Sequence, residues 1–445
     1  MRDHLLDDDA ASLPSVYADD GERPDAILHR PLPAGADVAI VGAGLTGLAA
    51  ALHLAEHGAS VVVLDANDVG SGGTGRSFGQ VVPYLKLEPA HAERHFGTEI
   101  GGRLITAAGD GPDYVYGLIE THQITCEAVR NGLLFAAHTP EGAERLAGRA
   151  AYWRARGAVV ELLDRAGTAE AVGGGSYPGA LLDHRGGTLN PLAFARGLAR
   201  AAADAGASIV VQAPVASVTP RAGGWEVATT RGATIAKTVL VCTNAYRNAL
   251  AGQAGDCVQP IRVHQAVSTA LPAELAARVL PGRQALTDTR RLPSGLRVTR
   301  SGRLIATVEG PTFGHGSGGA TGYASERIAR LFPFLPPINW DVRWSGWIDM
   351  ALDQYPRIYE SAPGLYAGLG LSGRGLALGP MLGRDLARKA LGAHADNLAF
   401  PVSDPRDHRW FMGAKVAIKG EVWKRKLYDR LDEWRQQGRD ERAAA

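Results

Sequence analysis

Apolar residues run unbroken from Val38 to Val41 and again from Val61 to Leu64. Such runs, with no polar alternation, suit short parallel strands buried on both faces. Between them, "LTGLAAALHLAEHG" predicts a helix behind a glycine turn. The same grammar returns later in the chain. "TLNPLAFARGLARAAADAGASIVVQAPVASVTP" reads as a capped helix followed by a strand, and "AKTVLVCTNAYRN" as an apolar strand ending in a small-residue turn. "GLYAGLGLSGRGLALGPMLGRDLARKALG" is again strand, glycine turn and helix. Dispersed pieces of one kind predict a single α/β domain interrupted by insertions. The insertions carry strands of another pattern, "QPIRVHQAVSTAL" and "LRVTRSGRLIATVEG". At the C-terminus, Trp423, Leu427, Leu431 and Trp434 form one helical stripe among charges of both signs. Its expected cover is the protein's own surface or a twin subunit, so a homo-oligomer is open.

The 445 residues exceed what one small core needs and fit two joined domains. A composition of 45% apolar and 21% charged residues, with net charge +1, is ordinary for a soluble enzyme and gives no pull toward nucleic acid or anionic membrane. Three dispersed cysteines, Cys126, Cys242 and Cys257, form no CxxC and argue against a disulfide framework or a zinc site. No signal-type core and no long apolar run is present, so a reducing cytoplasm is the expected compartment, with no membrane span.

Chemistry enters at Gly42, Gly44 and Gly47, in GxGxxG spacing directly after the first strand. The first glycine permits a tight turn, the second lets backbone approach a pyrophosphate, and the third lets helix pack on strand. The helix starting at Leu45 and Thr46 would aim N–H groups and its positive dipole end at that phosphate. Asp65 ends the second strand, where a carboxylate accepts hydrogen bonds from an adenosine ribose and repels the extra phosphate of NADP. NAD and FAD both satisfy this unit. The following "NDVGSGGTGRSFGQ", with five glycines in fourteen residues and one arginine, Arg76, favours a larger flat ligand.

Seven stretches together are similar to one family: "SVYADD", "DVAIVGAGLTGLAAALHLAEHGASVVVLDA", "GSGGTGRSFGQ", "TLNPLAFARGLARAA", "TNAYRN", "RWSGWIDMALDQYPRIYES" and "GLGLSGRGLALGPMLGRDLA". In order, from about Ser15 to Leu391, they resemble the D-amino-acid oxidase-like family of FAD-dependent oxidoreductases, and within it the gamma-glutamylputrescine oxidase-like branch. The resemblance implies a discontinuous Rossmann-like α/β FAD domain over residues 37–105, 185–246 and 356–395. A second, α+β substrate domain on an antiparallel sheet would occupy 106–184 and 247–355, with an N-terminal arm, 1–36, and a C-terminal extension, 396–445, outside both. It further implies that FAD is held without a covalent link, since no cysteine lies between Asp341 and Ser361. By position, Gly75, Arg76 and Ser77 would lie along diphosphate and flavin, and Val215 would meet the adenine. Gly373, Arg374, Gly375 and Leu376 would border the pyrimidine side of the ring, where a helix N-terminus stabilises negative charge.

The chemistry so implied is oxidation of an amine to an imine, with dioxygen or another acceptor taking the electrons. Arg297, Trp344 and Trp347 are the candidate pocket residues, the tryptophans as aromatic walls for an amine. Relatives that oxidise amino acids carry carboxylate-binding cations after the loop arginine and after the last glycine turn. Here Ser77 to Leu85 contains none, and Leu376, Ala377 and Leu378 fill the second place. A polyamine-like or specialised-metabolite amine without an adjacent carboxylate is therefore expected. Three alternatives remain open: an amino-acid oxidase or dehydrogenase acting on glycine, sarcosine or proline; a flavin-fold binding protein without turnover; and an aromatic monooxygenase. No metal is expected, because His91 and His95 lack a third ligand.

Overall fold

Strands with polar residues on neither face need cover on both, and the protein supplies it with helices packed at glycine-thin contacts. The computed structural model describes residues 15–17, 31–175, 177–246, 248–292, 294–310, 320–408 and 414–444. In chain order the framing elements are β1 (Gly35–Val41), α1 (Leu45–Glu56), β2 (Val61–Leu64), α2 (Pro89–Thr121), β3 (Leu133–Ala136), α3 (Pro191–Asp204), β4 (Ser208–Val210) and β5 (Gly232–Val241). There follow β6 (Val258–Ala270), β7 (Ala285–Asp288), β8 (Gly295–Val298), β9 (Arg303–Val308), β10 (Trp340–Ala351), β11 (Arg357–Ala362), β12 (Leu365–Leu369), α4 (Gly375–Ala390) and α5 (Ala414–Ala444).

One sheet runs Val402–Ser403, β11, β12, β5, β1, β2, β4, with β1 parallel to β5 and β2. Its strands come from three separated parts of the chain. The second sheet begins β10, β6, β9, β8, β7, β3 and is antiparallel except where β7 meets β3. Helix α2 crosses the boundary expected at residue 105, and Val402–Ser403, expected in the C-terminal extension, pairs with β11 in the first sheet.

One face of the second sheet is closed by Ile328 and Leu331 of the helix Gly322–Leu331, in a cluster with Leu286, Leu296, Leu304 and Ala306. Cross-strand register defines the opposite face. Trp344 lies beside Gln265 and Gln265 beside Thr307, while Thr287 lies between Gly295 and Phe135. A neighbouring row pairs Val342, Val267, Ile305 and Arg297. Phe78 and Leu192 pack on this second row, so it faces the first domain.

Helix α5 docks through polar groups. Asp429 accepts the N–H groups of Arg291 and Leu292, at 3.0 and 3.1 Å, and Arg291 also pairs with Asp432. Trp423, Leu427 and Leu431 are exposed in the single chain, so of the two covers expected for the stripe its own described surface is not the one used; the Trp434 side chain lies outside the described residues. Among the described residues no helix is long and apolar enough to cross a membrane.

Helices α1 and α4 cross where a Cβ on Gly383 would fall 2.2 Å from the Thr46 carbonyl oxygen. Gly383→Ala should therefore lower stability by about 1–3 kcal/mol through overpacking. Gly117→Ala in α2, where an added Cβ meets nothing within 4 Å, should raise it by about 0.5–1 kcal/mol. Urea midpoints of the two holoprotein variants check the opposite signs.

Candidate active site

The glycine turn is dictated by backbone contacts. Gly42 sits at φ +109°, and a Cβ there would lie 2.7 Å from the Cys242 carbonyl oxygen. On Gly47 it would lie 2.0 Å from the Gly42 carbonyl oxygen. Gly44 is the N-cap of α1 and contributes no side-chain cap, and the first turn holds no acid. Among the described residues the Leu45 N–H reaches only the Thr74 hydroxyl, at 3.4 Å. Leu45, Thr46 and Gly47 thus form a helix N-terminus suited to a phosphate.

Asp65 closes this turn by accepting the N–H groups of Ala43 and Asn67, at 2.7 and 2.9 Å. Burial raises its pKa, and those two donors oppose the rise. The Ala213 N–H bonds the Asp65 carbonyl at 2.8 Å, which brings the strand beginning at buried Val215 alongside.

The loop after β2 folds back on the turn. Gly70 donates to the Ala43 carbonyl and Gly75 to the Gly70 carbonyl, at 2.9 and 2.8 Å. Arg76, in a short 3-10 turn, is buried; its Nε donates to the Ser71 carbonyl and Nη1 to the Ser345 carbonyl. Trp344 Nε1 returns a hydrogen bond to the Arg76 carbonyl at 3.0 Å. Arg76 therefore ties the cofactor loop to β10. The Ser77 Oγ beside it is buried with no hydrogen-bond partner.

Ahead of α4, Gly370, Ser372 and Gly373 all take positive φ, a turn that must be held from outside. Asp349 holds it: Oδ2 accepts the N–H groups of Gly370 and Leu371, at 2.6 and 3.3 Å. Burial pushes this carboxyl up to about 7. Arg374 caps α4 with its Nε buried and unpartnered, Gly375 opens the helix, and Leu376 turns into the core. Burial, then the Arg149 charge, brings the Arg374 guanidinium down to about 10. Lys86, one residue past the stretch found empty of cations, is brought down to about 7 by burial, then by Arg374 and Arg425.

The pocket candidates separate. Trp344 and Arg297 share a face and both touch Tyr17 of the N-terminal arm: the Tyr17 and Trp344 ring centroids are 6.1 Å apart, and Arg297 Nη2 donates to the Tyr17 hydroxyl at 2.7 Å. Trp347 is three residues from Trp344 on a regular strand and so points to the other side. It packs with Ala245 and Tyr246, and the Arg262 guanidinium carbon lies 4.6 Å from its ring centroid. The structure does not bring Trp347 to Arg297. Sequence reading gave no role to Tyr17, Gln80, Gln265 or Asp349, although Tyr17 lies in "SVYADD", Gln80 in "GSGGTGRSFGQ" and Asp349 is a lone acid in "RWSGWIDM".

An uncapped helix end behind a glycine turn, with a second sheet tied to it through Arg76, is the geometry of a two-sheet dinucleotide-binding protein, and the family match makes it an oxidoreductase. Within that class the chain belongs to the DAO family, whose model, described as FAD dependent oxidoreductase, matches residues 37–389. The gamma-glutamylputrescine oxidoreductase of Escherichia coli (strain K12) is 31% identical over 379 residues, covering 80% of this chain and 84% of the relative. A probable oxidoreductase, OrdL, of Haemophilus influenzae is 28% identical over 365 residues, covering 80% and 83%. Among solved structures, glycine oxidase from Geobacillus kaustophilus superposes with a TM-score of 0.70 at 22% identity, covering 81% of this chain and 96% of that one. The L-proline dehydrogenase from P. horikoshii gives 0.69 at 19% identity, covering 84% and 98%. These structures show the shared α/β fold.

The residues present fit FAD: the cradle at Gly44 has no Cβ to fill it, and Ser77 Oγ and Arg374 Nε are buried without partners. Gly44→Val should prevent FAD loading, checked by the flavin absorbance of the purified protein; normal loading would refute the placement. For Asp349, the folded pKa near 7 exceeds the ordinary value of 3.8. The contribution of its protonation to stability is thus full at low pH and lost as pH rises through 7. Asp349→Asn, which keeps an acceptor, should gain in melting temperature on the native protein between about pH 5 and 8. Asp349→Ala should lose about 1–3 kcal/mol by leaving N–H groups unpaired. A deficit of the Asn variant that grows with pH would contradict this.

Proposed function

We propose that the protein oxidises the C–N bond of a primary or secondary amine to an imine, with dioxygen or another acceptor receiving the electrons. When bound, FAD supplies the two-electron oxidation. Gly42, Gly44, Leu45, Thr46, Gly47 and Asp65 would hold its dinucleotide, with Val215 at the adenine. Gly75, Arg76, Ser77, Gly373, Arg374, Gly375 and Leu376 would border the diphosphate and ring.

The observation that carries the reading is the composition of the facing sheet row. Trp344, Gln265, Thr307, Gly295 and Thr287 offer an aromatic wall and neutral polar groups but no acid or base. An amine entering a site that excludes water loses its proton more readily, because desolvation disfavours its charged form. Oxidation at a neutral amine needs no further proton acceptor there. The naming of the Escherichia coli relative for gamma-glutamylputrescine, itself an amine, supports this class.

Holoprotein screened against amines and amino acids, with peroxide readout and again with an artificial acceptor, should reduce its flavin with an amine. Rapid flavin reduction by NADH or NADPH, with no response to any amine, would overturn the proposal.

A further inference from the structure

Strands β3 and β7 run parallel, with Ala136 beside Asp288, so the residues that follow them emerge together at one end of the second sheet. The Thr289 N–H donates to the Ala136 carbonyl at 3.0 Å, and the Thr289 hydroxyl accepts the His138 N–H at 3.1 Å. The same hydroxyl lies 2.8 Å from His138 Nδ1. Two bonds to one threonine therefore fix the imidazole and turn Nε2 away from the sheet.

That nitrogen meets helix α5. The His138 side chain is 5% exposed, and Nε2 is buried with no hydrogen-bond partner. Asp432 Oδ2 lies 3.8 Å from it, beyond hydrogen-bond reach. Asp429 precedes Asp432 by three residues, so both carboxylates leave α5 on the same side. One ligand atom from each of His138, Asp429 and Asp432 lies within 4.8 Å of the other two. An ordinary ion pair would close the gap between imidazole and acid, or leave the ring in water. Here a buried nitrogen aimed at two acids does neither, and ligating imidazoles are held through their second nitrogen in the same way.

The surrounding charges permit a cation. Asp429 accepts the N–H groups of Arg291 and Leu292, which orient the carboxylate without using all of its roughly four acceptor positions. The Arg291 guanidinium also reaches Asp429 and Asp432, at 3.2 and 2.6 Å, yet its side chain is 43% exposed. It can return to water when a doubly charged ion arrives, at little cost for a pair so exposed. Arg290, whose charge also faces His138, is paired with Asp288.

We infer that His138, Asp429 and Asp432 bind a divalent transition-metal ion, which fastens α5 to the second domain. One imidazole and two carboxylates suit zinc, whereas calcium and magnesium take oxygen ligands. Zinc bonds of about 2.1 Å in a tetrahedral array set ligand atoms about 3.4 Å apart, so the three groups close in by roughly 1 Å on binding, with water as the fourth ligand. Both acids lie outside the residues matched by the family model, and His138 lies inside them. Such a site is structural and independent of which amine is oxidised. Its members are far apart in sequence, so no metal-ligand spacing along the chain marks them.

The test is zinc binding to holoprotein that has been treated with a chelator and dialysed, measured by competition with a chromogenic chelator. About one zinc per chain should bind. His138→Ala and Asp432→Asn should each abolish that binding with flavin content unchanged. Thr289→Val, which frees the imidazole, should weaken it roughly tenfold to hundredfold. Zinc should also slow tryptic cleavage at Lys419 and Lys424, exposed on α5, in the native protein and not in Asp432→Asn. No zinc bound by the native protein, or undiminished binding by both ligand variants, would overturn the site. Zinc bound with no protection of α5 would overturn its fastening role. If His138→Ala does not fold, Asp432→Asn decides, because that side chain is 17% exposed and its replacement leaves the Asp429 bonds in place.

Discussion

Everything in the site hangs on how closely backbone meets backbone at the start of α1. The Gly42 and Gly47 positions leave no room for a β-carbon, and Gly383 brings α4 against the same helix from behind. That double constraint fixes the direction of the helix end and therefore where a diphosphate can lie. Asp65 then reinforces it by accepting two backbone hydrogen bonds, so the acid shapes the turn itself.

An arginine joins the second sheet to this cradle. Arg76 bonds a carbonyl of its own loop and a carbonyl of β10, while Trp344 bonds back to it. A buried cation held by carbonyl dipoles of two segments makes a rigid strut between them. Asp349 plays the corresponding part at the other glycine turn, where its buried carboxyl fixes a backbone with three consecutive or near-consecutive positive φ angles. Such a charge is costly to bury, and the two N–H donors offset part of that cost.

Against these struts, the unpaired cations stand out. Arg297, Lys86 and Arg374 come from different stretches of chain, and none reaches an acid among the described residues, whereas Arg327 and Arg357 do. The absence of basic residues from Ser77 to Leu85 had argued for an amine without a carboxylate, and Lys86 lies one residue past that stretch.

The sequence by itself determined the cofactor half. GxGxxG, the acid of Asp65 and the family stretches are local signals, because a turn, a helix end and a strand end are built from neighbouring residues. The discontinuous α/β architecture was legible for the same reason, through repeated strand–turn–helix pieces. Only the tertiary structure decided which residues of the second sheet lie together. The register of six strands places Gln265, Thr307 and Thr287 along one face, and strand alternation turns Trp347 away while keeping Trp344. Tyr17 meets Arg297 across 280 residues of chain. No periodicity encodes such a meeting, since contacts between distant segments depend on how two sheets and an arm pack, and not on the spacing of residues along any one of them.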